Sequence, residues 1–144
     1  RGMERTNGPG IKASYVRKWL PSAIPQEVDR LKAGIDVADL GTGTGSLAAS
    51  IAKSFPASRV TGIDLDPTSV NRAKELHEGL SNLSFICNDI AAVQPASFDL
   101  VTNHDCIHDL VDPLAALSAV RRALRTSGVF FSMEPNVKGE SIQE

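Results

Sequence analysis

Cysteine is nearly absent from this 144-residue chain: Cys87 and Cys106 are the only two. That excludes a disulfide scaffold, and two thiols in a chain that alternates strands and helices fit a reducing compartment. A cytoplasmic location is therefore expected. Basic charge is not in excess, with 15 Lys and Arg against 17 Asp and Glu and a net charge of −2. A nucleic-acid footprint needs a basic patch, so no nucleic-acid partner is expected. Long apolar runs are missing too. None approaches the roughly 20 residues of a membrane span, and the polar N-terminus has no signal-peptide pattern, so no membrane partner is expected. There is no internal repeat, and low complexity is confined to the first ten residues. What remains is enough for one domain with a real core, since 42% of the residues are hydrophobic.

Residues 1–10 read as a disordered tail or an expression remnant. Residues 11–34 read as an N-terminal helical segment. Ile11, Tyr15, Val16, Trp19 and Leu20 form one amphipathic stretch, Pro21 and Pro25 interrupt it, and a further turn over Gln26–Lys32 stops at Gly34. From residue 35 to 144 the periodicity switches repeatedly. Strands are expected at Ile35–Leu40, Arg59–Ile63, Leu83–Cys87, Phe98–Thr102 and Val129–Met133. Helices are expected at Ser46–Phe55, from the Asp66 cap to about Leu80 with Val70, Ala73, Leu76 and Leu80 inward, and at Pro113–Arg125 with Leu114, Leu117, Val120 and Leu124 on one face. Asp89–Val93 is a short turn or helix. Strand–helix alternation of this kind is the mark of an α/β fold, a doubly wound parallel sheet.

The stretch Val37–Gly45, VADLGTGTG, carries the chemistry. A buried strand around Asp39 runs straight into Gly41, Gly43 and Gly45. A helical pattern opens at Ser46. Glycines permit the sharp turn and let a ligand approach with no Cβ in the way, and the free N–H groups of the helix start lie beside them. Asp64 closes the second strand, where an acid can bind ribose hydroxyls. An adenosine-containing cofactor is the reading these residues support. Which one is left open by the loop alone, because Gly43-Thr44-Gly45-Ser46-Leu47-Ala48 also satisfies the nicotinamide-dinucleotide pattern G-x-G-x-x-A.

The series VADLGTGTG, TGIDLDPTS, CNDI, SFDLVT and SGVFFSMEP, over roughly residues 35–135, resembles the class I S-adenosylmethionine-dependent methyltransferases. A closer likeness is to bacterial methyltransferase domains with an FDCxHD-like run after strand four, here HDCIHD at 104–109. The resemblance implies a Rossmann-like sheet of strand order 3-2-1-4-5 and S-adenosyl-L-methionine as cofactor. It implies a cofactor site made of Asp39, Gly41, Thr42, Gly43, Gly45, Asp64, Leu65, Asp89, Ile90 and Asn103. Asp39 would help position the amino-acid end, Asp64 would accept the ribose hydroxyls, Leu65 would cover the adenine, and Asp89 with Ile90 would hold its amino group and ring. Bland alternatives stand beside three of these: local hydrogen bonds for Asp39, and helix caps for Asp64 and Asp89. The expected activity is methyl transfer to a small-molecule acceptor. Non-catalytic binding or regulation, and dinucleotide-dependent oxidoreduction, are the alternatives.

His104 and His108 fall just past strand four, at the end of the sheet where open α/β folds bind ligands, and are the candidate catalytic residues. A packing or capping role is their alternative, and His77 reads as solvated. No metal is expected, because a tetrahedral site draws on two separated clusters and HDCIHD has no second Cys/His cluster. With the implied strand order, Cys87 and Cys106 lie three strand spacings apart, about 14 Å at roughly 4.8 Å each. A disulfide needs Cα atoms within about 7 Å, so both thiols are expected free. Class I enzymes continue past strand five with a helix and a β-hairpin. This chain begins at Arg1 and stops shortly after that strand, so it reads as a truncate lacking the hairpin. An uncovered strand five would offer an edge for a homodimer.

Overall fold

The computed structural model describes residues 13–135. The expectations for residues 1–10, and for Ile11, lie outside that range. Five strands form one sheet: β1 (Asp36–Leu40), β2 (Arg59–Asp64), β3 (Leu83–Cys87), β4 (Phe98–His104) and β5 (Leu124–Met133). Their order is β3-β2-β1-β4-β5, with every neighbouring pair parallel. The expected doubly wound sheet and its strand order are therefore present. Register brings Leu40 beside Ile63 and Asn103, Asp64 beside Cys87, and His104 beside Met133. The residues that carry chemistry thus lie together at the carboxyl ends of the strands.

Alternation along the strands divides the core into two layers. Val37, Val60, Phe85 and Leu100 face one side, against Leu47, Ala48, Ile51 and Ala52 of α3 (Ser46–Ser54) and Val70 and Ala73 of α4 (Pro67–Leu76). The same layer includes Tyr15, Val16 and Leu20 from a π-helical turn (Tyr15–Trp19) that runs into the short α1 (Leu20–Ala23), and Leu31 of α2 (Pro25–Ala33). Pro25 sits in the first turn of α2, where a missing N–H costs nothing, whereas Pro21 follows the π-helical turn without a break and so does not interrupt the helical run as expected. Ala38, Leu40, Ile63, Phe98 and Val101 face the other side, against Val120 and Ala123 of α5 (Pro113–Ala123).

Three expectations are corrected. The second long helix ends at Leu76, not near Leu80. His77 caps it, and Leu76 is 49% exposed. Leu114 and Leu117 do not face the core, being 77% and 39% exposed. α5 packs through its C-terminal half, where the small Ala119 and Ala123 flank Val120 and let the helix approach the sheet. β5 starts at Leu124 rather than Val129, while α5 stops at Ala123. Leu124 leaves helical backbone to bury opposite Phe98, and the Arg125 guanidinium is drawn to Asp36 (2.9 Å) and Asp99 (2.7 Å). A register shift between Phe98 and Leu100 absorbs the irregular stretch.

Candidate functional site

β1 delivers Asp39 and Leu40 to the start of the glycine loop, and Gly41, Gly43 and Gly45 all take left-handed backbone. The three differ in surroundings. A Cβ on Gly45 would run into the Phe85 ring, and one on Gly41 into the Cys106 sulfur, whereas a Cβ on Gly43 would meet nothing within 4 Å. Gly45 and Gly41 answer to packing. Gly43 faces open space, which is where a ligand would lie against the backbone.

Carboxylates ring this opening. Asp39 is 2% exposed, and both of its oxygens take hydroxyls: Thr42 Oγ1 donates at 2.8 Å and Thr102 Oγ1 at 3.0 Å. It braces the loop from beneath, and its charge adds to the burial that drives the Tyr15 hydroxyl pKa up. Asp64, closing β2, accepts from the Gly43 N–H (2.8 Å) and from the Asp66 N–H (2.9 Å). The helix cap is Asp66, which takes the Thr68 and Ser69 N–H groups. Each Asp64 oxygen keeps a further lone pair for a hydroxyl. Leu65 beside it is 65% exposed. Asp89 is exposed and caps a 3₁₀ turn through the Ala91 N–H (2.9 Å), and Ile90 is half-buried against the second core layer.

The carboxyl ends of β4 and β5 make the other half of the site. Asn103 is fully buried. Its Nδ2 donates to Ser132 Oγ (2.9 Å) and to Glu134, while its Oδ1 has no hydrogen-bond partner among the described residues. His104 is half-buried and meets the Tyr15 ring edge-on, centroids 6.1 Å apart. Asp105 takes left-handed backbone, which Asp tolerates, and its N–H donates to the Met133 carbonyl (2.8 Å). The turn folds back so that Cys106 lies over Gly41. Burial, reinforced by Glu134, pushes the Cys106 thiol up to about 11, so it is not a reactive thiolate. Both thiols are free.

Glu134 is the residue sequence reasoning missed. Oε1 accepts the Cys106 N–H (3.2 Å), the Ile107 N–H (3.0 Å) and the Asn103 amide, and Oε2 accepts His108 Nδ1–H at 2.6 Å. Partial burial pushes its pKa up, but the His108 bond and the three N–H donors outweigh that and hold it at about 2. The Glu134 bond is in turn the main reason the His108 pKa is raised. Nε2 of His108 lies 3.5 Å from Asp105 and 3.4 Å from Asp109. Asp105, His108 and Glu134 thus bring potential ligand atoms within 4.8 Å of one another, two of them from the run at 104–109 and one a carboxylate from the end of β5. The 2.6 Å contact is a hydrogen bond between Nδ1 and Oε2, and Asp105 joins the pair as an ion-pair neighbour at 3.5 Å. The only signal for it in the sequence was an acid directly after an apolar strand, in SMEP. His77 is also not simply solvated: it is half-buried, donates to the Thr44 carbonyl (3.1 Å) and lies against Phe85.

Among the described residues no helix is long and apolar enough to cross a membrane. Comparison with known proteins agrees with the fold. The chain is 37% identical over 106 residues to a ubiquinone biosynthesis O-methyltransferase of Neisseria meningitidis, an alignment covering 69% of this chain and 44% of that protein. It is 37% identical over 112 residues to the protein of the same name from Idiomarina loihiensis, covering 73% and 45%. It spans less than half the length of these curated relatives. A crystal structure of a S-adenosylmethionine-dependent methyltransferase from Aquifex aeolicus superposes with a TM-score of 0.62 at 25% identity, over 79% of this chain and 66% of that one. The sequence pattern of the methyltransferase-domain family matches residues 31–144, and the chain belongs to that family.

Proposed function

We propose that this chain binds S-adenosyl-L-methionine over the glycine loop and transfers its methyl group to a small molecule. One observation carries the reading. Gly43 is the loop glycine that faces open space, and its N–H is tied to Asp64, whose remaining lone pairs suit two ribose hydroxyls. Gly41, Thr42 and Gly45 shape the cradle, Asp39 braces it, Leu65, Asp89 and Ile90 line the adenine end, and Asn103 borders the methionine end. When bound, the cofactor would supply a methyl group activated by its sulfonium; the acceptor's nucleophilic atom would bond to that carbon in line as the carbon–sulfur bond breaks, and S-adenosylhomocysteine would leave. The protein holds the reacting atoms in line, a contribution that reaches about 7–11 kcal/mol in well-oriented systems. His104 and His108 flank the acceptor side. His108 accepts the proton where the acceptor must lose one, through Nε2, because Nδ1 is committed to Glu134. The relatives' names, which specify O-methylation in ubiquinone biosynthesis, favour a small oxygen acceptor.

The test is calorimetric titration with S-adenosylmethionine, S-adenosylhomocysteine and NAD in parallel. The first two are expected to bind and NAD is not. Asp64→Ala is expected to weaken S-adenosylmethionine by about 1–3 kcal/mol, the cost of removing charge-assisted hydrogen bonds. Preferential NAD binding, or unchanged affinity in the variant, would sink the reading. Two thiols left free support a cytoplasmic location. Among the described residues β5 has a strand neighbour on one side only, which supports a homodimer through its outer edge. Light scattering from a monomer at high concentration would remove that part.

A further inference from the structure

We infer that Glu134 is the positioning residue of this site, fixing the ring orientation and tautomer of His108. The inference rests on His108 as the proton acceptor of the proposed reaction. The observations are geometric. One carboxylate gathers an amide from the end of β4, two backbone N–H groups from the 104–109 turn, and the Nδ1–H of His108. Three of these donors fall on Oε1, which leaves Oε2 to the imidazole alone. The same carboxylate is held by the backbone N–H groups of Cys106 and Ile107, so Oε2 is fixed in place beside the ring, and a ring that turned away would give up its Nδ1 bond. A carboxylate that takes Nδ1–H puts the neutral ring's proton on Nδ1 and leaves the Nε2 lone pair for a substrate proton, the arrangement that orienting carboxylates give histidines elsewhere.

Among the described residues, the charged groups facing His108 are Asp105, Asp109 and Glu134. Asp105 and Asp109, from its own turn, lie nearer Nε2, at 3.5 Å and 3.4 Å, and Glu134, from the end of β5, lies on Nδ1. The contact at 2.6 Å is the short one, so Glu134 is expected to dominate, with Asp105 and Asp109 adding smaller, water-screened terms.

The experiment is a histidine-selective nitrogen and carbon NMR titration of the 144-residue chain, with chelator present and no cofactor or acceptor. The His108 signal is assigned by its loss in His108→Gln. In the unsubstituted chain the neutral ring is expected as the Nδ1–H tautomer. An Nε2–H tautomer overturns the inference without any variant of Glu134. In Glu134→Gln the His108 midpoint is expected to fall by about one pH unit. Asp105→Asn and Asp109→Asn are each expected to move it less. A midpoint unmoved by Glu134→Gln, or moved as far by either aspartate variant, overturns the inference. Where turnover is measurable, the acid limb of the kcat profile moves to lower pH in Glu134→Gln by the same interval. Failure of S-adenosylmethionine to bind would remove the methyltransferase reading and leave this titration intact. A wrong tautomer with normal cofactor binding would remove only the role of Glu134.

Discussion

The two ends of the sheet handle negative charge differently. At the amino ends of β1 and β4, carboxylates meet guanidinium groups. Asp36 pairs with Arg59 (2.6 Å) and Arg125 (2.9 Å), Asp99 with Arg125 (2.7 Å) and Arg30 (3.5 Å), and the buried Glu27 with Arg30 (2.9 Å). The Arg59 bond is the chief reason the Asp36 carboxyl is held below its ordinary range. At the carboxyl ends, Asp39, Asp64, Asp89 and Glu134 are held instead by threonine hydroxyls, backbone N–H groups, an asparagine amide and one imidazole. Guanidinium pairing cancels charge; hydroxyl and N–H donors hold a carboxylate while leaving its charge in place. The first end joins α2, β1, β4 and β5 into a frame. The second keeps a negative field where, on the proposed function, a sulfonium would sit.

That contrast can be broken first at Gly45. Its left-handed backbone and the Phe85 ring both exclude a side chain. Gly45→Ala combines a cost of roughly 1–2 kcal/mol for the backbone with roughly 1–3 kcal/mol for overpacking. A loss of about 2–5 kcal/mol is expected in chemical denaturation. Unchanged stability would mean that the loop beside α3 has an alternative path and that cradle and core are separable.

Asp99→Ala strikes the other end. The variant takes one of two partners from Arg30 and from Arg125, which keep Glu27 and Asp36, and strands the Asp36 N–H, which Asp99 accepts at 2.9 Å. About 1–3 kcal/mol of stability is expected to be lost. S-adenosylmethionine affinity, measured well below the unfolding transition, is expected to stay the same. A variant that weakened the ligand would show that the two ends are coupled through β4.

The strands and the loop were legible in the sequence because their signals are local. Val37–Gly45 writes strand, turn and helix start in consecutive residues, and Asp66-Pro67 writes a cap. What escaped depends on distant partners. Leu114 and Leu117 fit a helical face, but packing of α5 was decided by Ala119 and Ala123, whose small size shows only against the sheet. The start of β5 at Leu124 follows from Arg125 reaching Asp36, 89 residues earlier. Glu134 is 26 residues from His108 in sequence, so the cluster they form exists only once β4 and β5 are paired. Asp39 illustrates the reverse. Its position was readable, but its hydroxyl partner on β4, Thr102, was not.

The smallest effect expected is the pH dependence of stability that the His108–Glu134 pair contributes. Glu134 is held at about 2 in the fold, below its ordinary 4.5, so its contribution is present above 4.5 and is lost as pH falls toward 2. His108 is raised above its ordinary 6.5, so its contribution is complete below 6.5 and is lost as pH rises through the folded midpoint. Both hold together only between about pH 4.5 and 6.5. The stability difference between the unsubstituted chain and His108→Gln should therefore be greatest in that window and shrink on both sides. The imidazole is exposed, so solvent screening keeps the difference modest. Denaturant midpoints collected from about pH 3 to about pH 8.5 would show the hump. A difference flat across the range would mean that the His108–Glu134 bond at 2.6 Å carries no net charge pairing in solution, and that Glu134 is held by its other N–H donors alone.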